Sequence, residues 1–409
     1  MSQEISLKEY DFLYFKEHTP HNEKGYFLNE KSFLELEKFV LANEESANYL
    51  KLSSKKGFGK ILRAQNYVGL IQTKDGTTIE ILPKIKNLSH KESKNILLKM
   101  LQTLKKSPFK HFNSAQLKSE KMPLLEIFIS MFLEELSLLI RKGIRSDYIQ
   151  KEENLHYLKG KLSLSKQIKY NRVNQERFYV EYEEFTSDRV ENRLIKTTLN
   201  YLYKKSRLNT NQQKIREFLF VFDSIGVSHS PKNDFKKIQN TREMQSYENV
   251  LLYAKTFLVE NSFSPYKGSD VAFALLFDMN RLFESYLGVY LKRKGFNVRL
   301  QDRGKYLVES HKKFALRPDI VINRGQESEV IADIKYKNIL NVKDISQADM
   351  YQLYAYGTKY KQTKQLYLIY PKNDTLELER VSYLKNELHL NVLFFDLSLG
   401  FEQDIGLTV

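Results

Sequence analysis

The 409-residue chain has no cysteine and no tryptophan. Without cysteine, disulfide frameworks, zinc ribbons and cysteine nucleophiles are excluded. The eight histidines form no H-E-x-x-H pattern, which removes that zinc-protease helix. His18 and His21 sit in a polar stretch and are expected to be solvated. No G-x-x-x-x-G-K-[ST] loop occurs. Its nearest approach, Gly57-Phe58-Gly59-Lys60, lacks the spacing and the following hydroxyl, and reads as a turn before a strand. No stretch reaches the roughly 18 apolar residues that a membrane-spanning helix needs. The longest candidate, Pro123 to Ile140, is interrupted by Glu126, Glu134 and Glu135. Met1-Ser2-Gln3-Glu4 leads into charged residues rather than a signal peptide, so a cytoplasmic protein with no membrane partner is expected.

What is present is apolar enough, at 42%, for real cores. The net charge of +15 and pI near 9.4 favour polyanionic partners, although a generally lysine-rich composition gives the same balance. The 26 tyrosines and 26 phenylalanines leave stacking on bases open.

Length suits two or three domains. Residues 1–120 read as a β-rich module. Strand signals run through 49–52 and 60–73, Asp75-Gly76 is a tight-turn dipeptide, and 77–84 is the returning strand. Helices are expected at 31–42 and 90–106. Residues 121–265 read as mainly helical. One long helix spans Pro123 to Lys142 and ends at Gly143; short extended pieces follow at 158–161 and 180–185. A helix capped by Ser187 or Asp188 runs to about 206, with further helices at 210–224 and 246–259. Residues 261–270 read as a turn-rich linker. Residues 266–409 alternate helix and strand, as an α/β core does.

That last region carries the chemistry. Arg317-Pro318-Asp319 opens an apolar strand, Ile320-Val321-Ile322. Ile331-Ala332-Asp333-Ile334-Lys335 forms a second, its first aspartate fourteen residues after Asp319. Side chains alternate along a strand, so Asp333 and Lys335 share a face. A hairpin with its tip at 323–328 suits the spacing. Two hard carboxylates, with the Ile334 carbonyl, are the donors Mg²⁺ favours. Such an ion polarises a phosphate and acidifies a bound water, while Lys335 offsets developing negative charge. Phe277 to Leu287 reads as an amphipathic helix, with Leu276, Phe283, Leu287 and Leu291 on one stripe and Glu284 beside it. Glu284 is the candidate third acid; Asp278 and Glu309 are rivals. Downstream, Ser346 is a candidate N-cap for a helix carrying Gln352 and Tyr356 on one face. Gln352 is placed to hold a water or the scissile phosphate. Alone, a D-x-K is usually a solvated face and a P-D a turn; the ordered set of helix Glu, strand Asp, D-x-K and helix Gln is the stronger signal.

The chain as a whole resembles the McrC family, the nuclease subunit of McrBC modification-dependent restriction systems. The resemblance rests on Tyr67-Val68-Gly69-Leu70-Ile71-Gln72 and Thr78-Ile79-Glu80-Ile81-Leu82-Pro83-Lys84-Ile85, on Leu158-Lys159-Gly160-Lys161 and Glu183 to Asp188, and on Asn280 to Glu284, Arg317 to Asp319, Asp333 to Lys337 and Tyr351 to Tyr356. It implies an α+β chain: a β-rich N-terminal module that docks on a hexameric AAA+ GTPase of McrB type, a helical middle domain, and a restriction-endonuclease-like PD-(D/E)xK core. It further implies Mg²⁺-dependent cutting of double-stranded DNA, with Glu284, Asp319, Asp333, Lys335 and Gln352 as site residues, and GTP used by the partner. A non-catalytic activator of the motor, and a stand-alone DNA-repair or RNA nuclease, are the alternatives.

Overall fold

The computed structural model describes residues 3–15, 25–42, 48–105, 107–111, 122–173, 175–239, 241–259, 273–339, 341–372, 381–382 and 388–408. His18, His21 and the expected linker at 261–270 lie outside them.

The N-terminal stretch contains β1 (Glu4–Lys8), β2 (Phe12–Phe15), β3 (Tyr26–Leu28), α1 (Glu30–Ala42), β4 (Leu50–Lys55), β5 (Gly59–Ala64), β6 (Tyr67–Gln72), β7 (Thr78–Leu82) and α2 (His90–Leu101). The continuous strand expected over 60–73 is two strands. β5 pairs with β2 and β4, whereas β6 pairs with β7 in a different sheet. The chain turns at Gln65, whose N–H donates to the Tyr49 carbonyl at 2.9 Å. The β6–β7 connection folds at Asp75-Gly76, with Gly76 at φ +87° and Asp75 Oδ1 accepting from the Thr77 N–H at 3.1 Å. α2 starts from a capping box, in which the Ser89 and Glu92 side chains accept from each other's N–H. It stops at Leu101, short of the expected 106.

The middle stretch contains α3 (Leu124–Lys142), β8 (Asp147–Leu155), β9 (Lys161–Leu162), α4 (Leu164–Asn171), β10 (Phe178–Thr186), α5 (Val190–Lys205), α6 (Asn209–Val221), α7 (Pro231–Lys237) and α8 (Glu248–Leu258). α3 runs from Pro123 to Gly143, whose φ of +89° ends it. Its Glu126 is buried and accepts from the Arg207 and Leu208 N–H groups, the Ser206 hydroxyl and the Asn211 amide, so one carboxylate fixes the turn between α5 and α6. A β8-β10-β9 sheet accompanies the helices, more extended structure than the sequence reading allowed. β8 has no fully buried residue and no apolar alternation to announce it. α5 begins at Val190 because Asp188 is drawn into a bidentate pair with Arg193 instead of capping.

The C-terminal stretch contains β11 (Phe273–Asp278), α9 (Met279–Arg293), β12 (Val298–Leu300), β13 (Lys305–Val308), β14 (Lys313–Leu316), β15 (Ile320–Ile322), β16 (Val330–Ile334), α10 (Gln347–Lys359), β17 (Gln365–Pro371), β18 (Val381–Ser382) and β19 (His389–Phe395). The helix expected from Phe277 begins two residues later. Phe273 to Phe277 is buried throughout as a strand, and Asp278 caps α9 by accepting from the Asn280 N–H at 2.9 Å. Leu276 matched the helical spacing by coincidence. β11 pairs antiparallel with β6, completing the sheet β1-β7-β6-β11. Only glycine permits that approach: at Gly69 (φ +135°) a Cβ would lie 2.1 Å from the Leu275 carbonyl oxygen.

Met1–Glu120 and Asn261–Val409 accordingly form one compact unit, and Lys121–Glu260 a second. In the first unit a mixed sheet runs β12-β15-β16-β17-β19-β18, with β16, β17 and β19 parallel. α10 covers one face: Leu353 and Tyr356 pack with Val321, Ile331, Leu366 and Leu368 in a single core.

Candidate active site

β15 and β16 pair antiparallel, with Ile320 opposite Ala332 and Ile322 opposite Val330. One step further in that register places Asp319 opposite Asp333. The fourteen-residue spacing is thus the arithmetic of a hairpin whose tip uses Asn323 (φ +50°) and Gly325 (φ +79°). Like charges facing across a ladder repel, and the surrounding strands are too apolar to screen them.

Asp319 is held by two donors. Its Oδ2 accepts from the Ile334 N–H at 2.9 Å and its Oδ1 from Gln301 Nε2 at 3.1 Å. The same Gln301 nitrogen donates to Glu284 Oε1 at 2.7 Å. One amide therefore ties Glu284, on α9, to Asp319. Of the two rivals to Glu284, Asp278 is spent on its cap, and Glu309 lies 3.5 Å from Lys359 on the surface. Gln301 was not anticipated. It follows β12 with φ +50°, a conformation uncommon outside glycine and asparagine, and no motif marks it.

Asp333 is 1% exposed, and neither of its carboxylate oxygens accepts a hydrogen bond. Lys335 Nζ lies 2.6 Å from Oδ2, an ion pair without the geometry of a directed bond. Lys335 also reaches Gln352 Oε1 at 3.5 Å; Gln352 Nε2 donates to the Tyr356 hydroxyl at 2.7 Å, and that hydroxyl donates to the Arg317 carbonyl at 3.1 Å. The relay returns to the strand just ahead of Asp319. The structure thus brings Glu284, Asp319, Asp333, Lys335 and Gln352 together. The Ser346 side chain makes no capping hydrogen bond, although the helix does begin after it.

The electrostatics follow from burial. Burial, then the charge of Asp319, pushes the Asp333 carboxyl up to about 7. Burial and the neighbouring Glu284 raise Asp319, and burial raises Glu284. Burial alone would lower Lys335, but the Asp333 charge outweighs it and holds the ammonium above its usual range. Tyr356 is pushed up to about 12 by burial and by Asp333, so it remains a donor.

Among the described residues, no group of three or more histidine or acidic side chains stands ready-made around a metal position. A smaller donor set suits a hard cation. Two facing carboxylates are buried with raised proton affinity, and one of them, Asp333, has no partner for its Oδ1 and only the Lys335 ammonium beside its Oδ2. Buried oxygens normally find partners, and a divalent ion would supply one.

Residues 62–371 match the family model described as McrBC 5-methylcytosine restriction system component. The type IV methyl-directed restriction enzyme EcoKMcrBC of Escherichia coli K12 is 25% identical over 261 residues, 58% of this chain and 74% of that protein. A half-complex of Thermococcus gammatolerans McrB AAA+ hexamers with bound McrC shares the fold, with a TM-score of 0.69 at 18% identity over 98% of both chains. The T. gammatolerans McrBC complex is similar at a TM-score of 0.52 and 22% identity, over 73% of this chain and 90% of that one. Those two relatives are McrB–McrC assemblies, and no helix among the described residues is long and apolar enough to cross a membrane. Matched over most of its length, the chain belongs to the family of McrBC 5-methylcytosine restriction system components.

Proposed function

We propose that the chain is the DNA-cutting, McrC-like subunit of a restriction system, working with a separate McrB-like AAA+ GTPase hexamer. The observation that carries this reading is the buried carboxylate of Asp333 facing Asp319 across a hairpin, its Oδ1 without a partner and its Oδ2 paired with Lys335 on the same face. Asp319 and Asp333 would hold Mg²⁺, with the Ile334 carbonyl and Glu284 completing the shell. Bound there, the ion supplies Lewis-acid polarisation of the phosphate and a more acidic water.

The protein's own groups do the rest. Lys335 stays cationic at neutral pH and offsets charge building on the scissile phosphate. Gln352, steadied by Tyr356, positions Lys335 and offers an amide to a water or phosphate oxygen. Gln301 keeps Glu284 and Asp319 in register with each other. In this reading the core around β15, β16 and α10 is of PD-(D/E)xK type. Residues 1–120 dock on the motor, which uses the GTP; 121–265 form the helical middle domain. The site works in the cytoplasm on double-stranded DNA, whose polyanionic backbone suits a chain of charge +15.

The test is co-purification with the AAA+ partner, followed by cleavage of methylated and unmethylated DNA with GTP and Mg²⁺. Lys335→Ala should abolish cutting while assembly and GTP hydrolysis persist. A second reading, an activator that does not cut, is favoured by the absence of a ready-made three-acid cluster among the described residues. GTP hydrolysis without any strand scission by the wild-type complex would select it. Robust cutting by this chain alone would select a stand-alone nuclease.

A further inference from the structure

A second site lies on the other face of β16. Asp333 and Lys335 point one way, while Tyr336, by alternation, points the other and donates its hydroxyl to Glu9 Oε2 at 3.0 Å. Behind Tyr336 is a cavity of about 820 Å³, within the size range of small-molecule pockets.

It opens where two sets of parallel strands end. β1 runs parallel to β7, and β16, β17 and β19 run parallel to one another. Glu9, Lys84, Tyr336, Lys372 and Leu397, one residue from behind each of these strands, line the cavity. Crevices at the carboxyl ends of parallel strands are where α/β sheets bind ligands.

The lining is strongly basic. Lys8, Arg63, Lys84, Lys86, Lys337 and Lys372 face it, against the single carboxyl of Glu9. Asp11 offsets Lys84 at 3.4 Å and Asp349 offsets Lys337 at 2.9 Å, yet the balance stays positive. A concave site lined by one sign of charge concentrates anions.

Glu9 is the unusual member. It is fully buried, and its Oε2 accepts from the Lys84 N–H at 3.0 Å as well as from Tyr336. Its Oε1 is buried with no partner. Burial pushes the carboxyl up to about 8. Leaving such an oxygen bare is costly, so a ligand is expected to meet it. Tyr10, beside it, is held at φ +64°, and Asn87 on the rim at φ +59°. A left-handed aromatic residue is sparse enough to suggest a shaped site.

A bare inorganic anion would use the lysines and leave Glu9 unmet. A ligand with a phosphate at one end and a hydrogen-bonding base or sugar at the other uses both. We propose that this cavity binds a phosphorylated nucleoside, free or at the end of a strand, with its phosphate among Lys84, Lys86 and Lys372 and its base or ribose against Glu9 and Tyr10. The proposal stands apart from the cutting reaction, because Tyr336 and Glu9 lie off the face of β16 that carries Asp333 and Lys335.

The test uses the full chain in EDTA, so that cleavage plays no part. Fluorescence anisotropy would follow N-methylanthraniloyl-labelled GTP and ATP, and a fluorescein-labelled dinucleotide with and without a 5′-phosphate. Saturable binding of a phosphorylated probe is expected, weakened at least tenfold in the Lys86→Glu/Lys372→Glu double variant. Binding of the labelled triphosphates assigns the site to a free nucleotide; binding of the phosphorylated dinucleotide alone assigns it to a strand end. Circular dichroism checks folding, and Lys86→Ala/Lys372→Ala replaces the charge reversal if that fails. No saturable binding by any probe, equal affinity in the variants, or equal affinity for the unphosphorylated dinucleotide overturns the proposal.

Discussion

Replacing Asp333 with asparagine should stabilise the protein while destroying its chemistry, and the gain should depend on pH. In the unfolded chain the carboxyl titrates near its ordinary 3.8; in the folded protein it titrates at about 7. Between those values the folded state keeps a proton that the unfolded state has released. Stability therefore falls as pH rises through this window, is highest below it, and levels off above pH 7. Each pH unit within it is worth about 1.4 kcal/mol, so the full loss is on the order of 4 kcal/mol. Asparagine has nearly the same shape and no charge to bury. Urea unfolding in EDTA should show the advantage of Asp333→Asn growing by roughly 2 to 3 kcal/mol between pH 5 and pH 8. Adding Mg²⁺ at pH 8 should raise the wild-type midpoint and leave the variant's unchanged, since only the former gains a ligand on folding. A pH-independent gain, or a loss of stability at pH 8, would show that Asp333 already has its charge satisfied without an ion, and the argument for a metal would fail with it.

Gln301→Leu removes the amide shared by Glu284 and Asp319; isothermal titration with Mn²⁺ should show affinity reduced roughly tenfold, in line with other groups that orient metal ligands. Gly69→Ala forces a Cβ to within 2.1 Å of the Leu275 carbonyl at φ +135° and should break the β6–β11 pairing; a loss above about 3 kcal/mol is expected in thermal or urea unfolding. Glu126→Ala strands the Arg207 and Leu208 N–H groups with Ser206 and Asn211. About 3 kcal/mol should be lost, and limited proteolysis should open the α5–α6 turn.

The acidic hairpin was legible because its signal is local. Two apolar runs, a turn and a period of two determine which residues face each other, and Asp319 and Asp333 fall opposite by counting alone. Glu284 could be preferred from its place beside the helix's apolar stripe, but Asp278 could not be dismissed, since that depends on where β11 ends and α9 begins. That boundary is set by pairing with β6, some two hundred residues earlier in the chain. Gln301 and Glu9 were invisible for the same reason. A glutamine after a three-residue strand and a glutamate after a five-residue one have no periodic signature; their roles come from contacts across the fold. The division at 120 and 265 followed the change from strand to helix signals and the turn-rich stretch at 261–270, whereas compactness follows β11 into the N-terminal sheet.

The position of Asp333 also explains why the sheet around it is so apolar. Two like charges facing each other across a hairpin, one of them in a strand whose five residues are all buried, would open an ordinary edge hairpin to water. Here β15, β16 and β17 bury every residue of their central positions, and α10 closes the face above them. The apolar contacts hold the carboxylates in place more firmly than their repulsion can part them. Lys335 sits just past the end of β16, where the chain leaves the sheet and the site meets solvent; it remains partly exposed while Asp333 does not. The same strand end turns Tyr336 the opposite way, onto Glu9 of the N-terminal module. Any rearrangement of β1 that moved Glu9 would have to break that hydrogen bond or shift the backbone next to Lys335, so the module and the candidate active site are neighbours through a single residue.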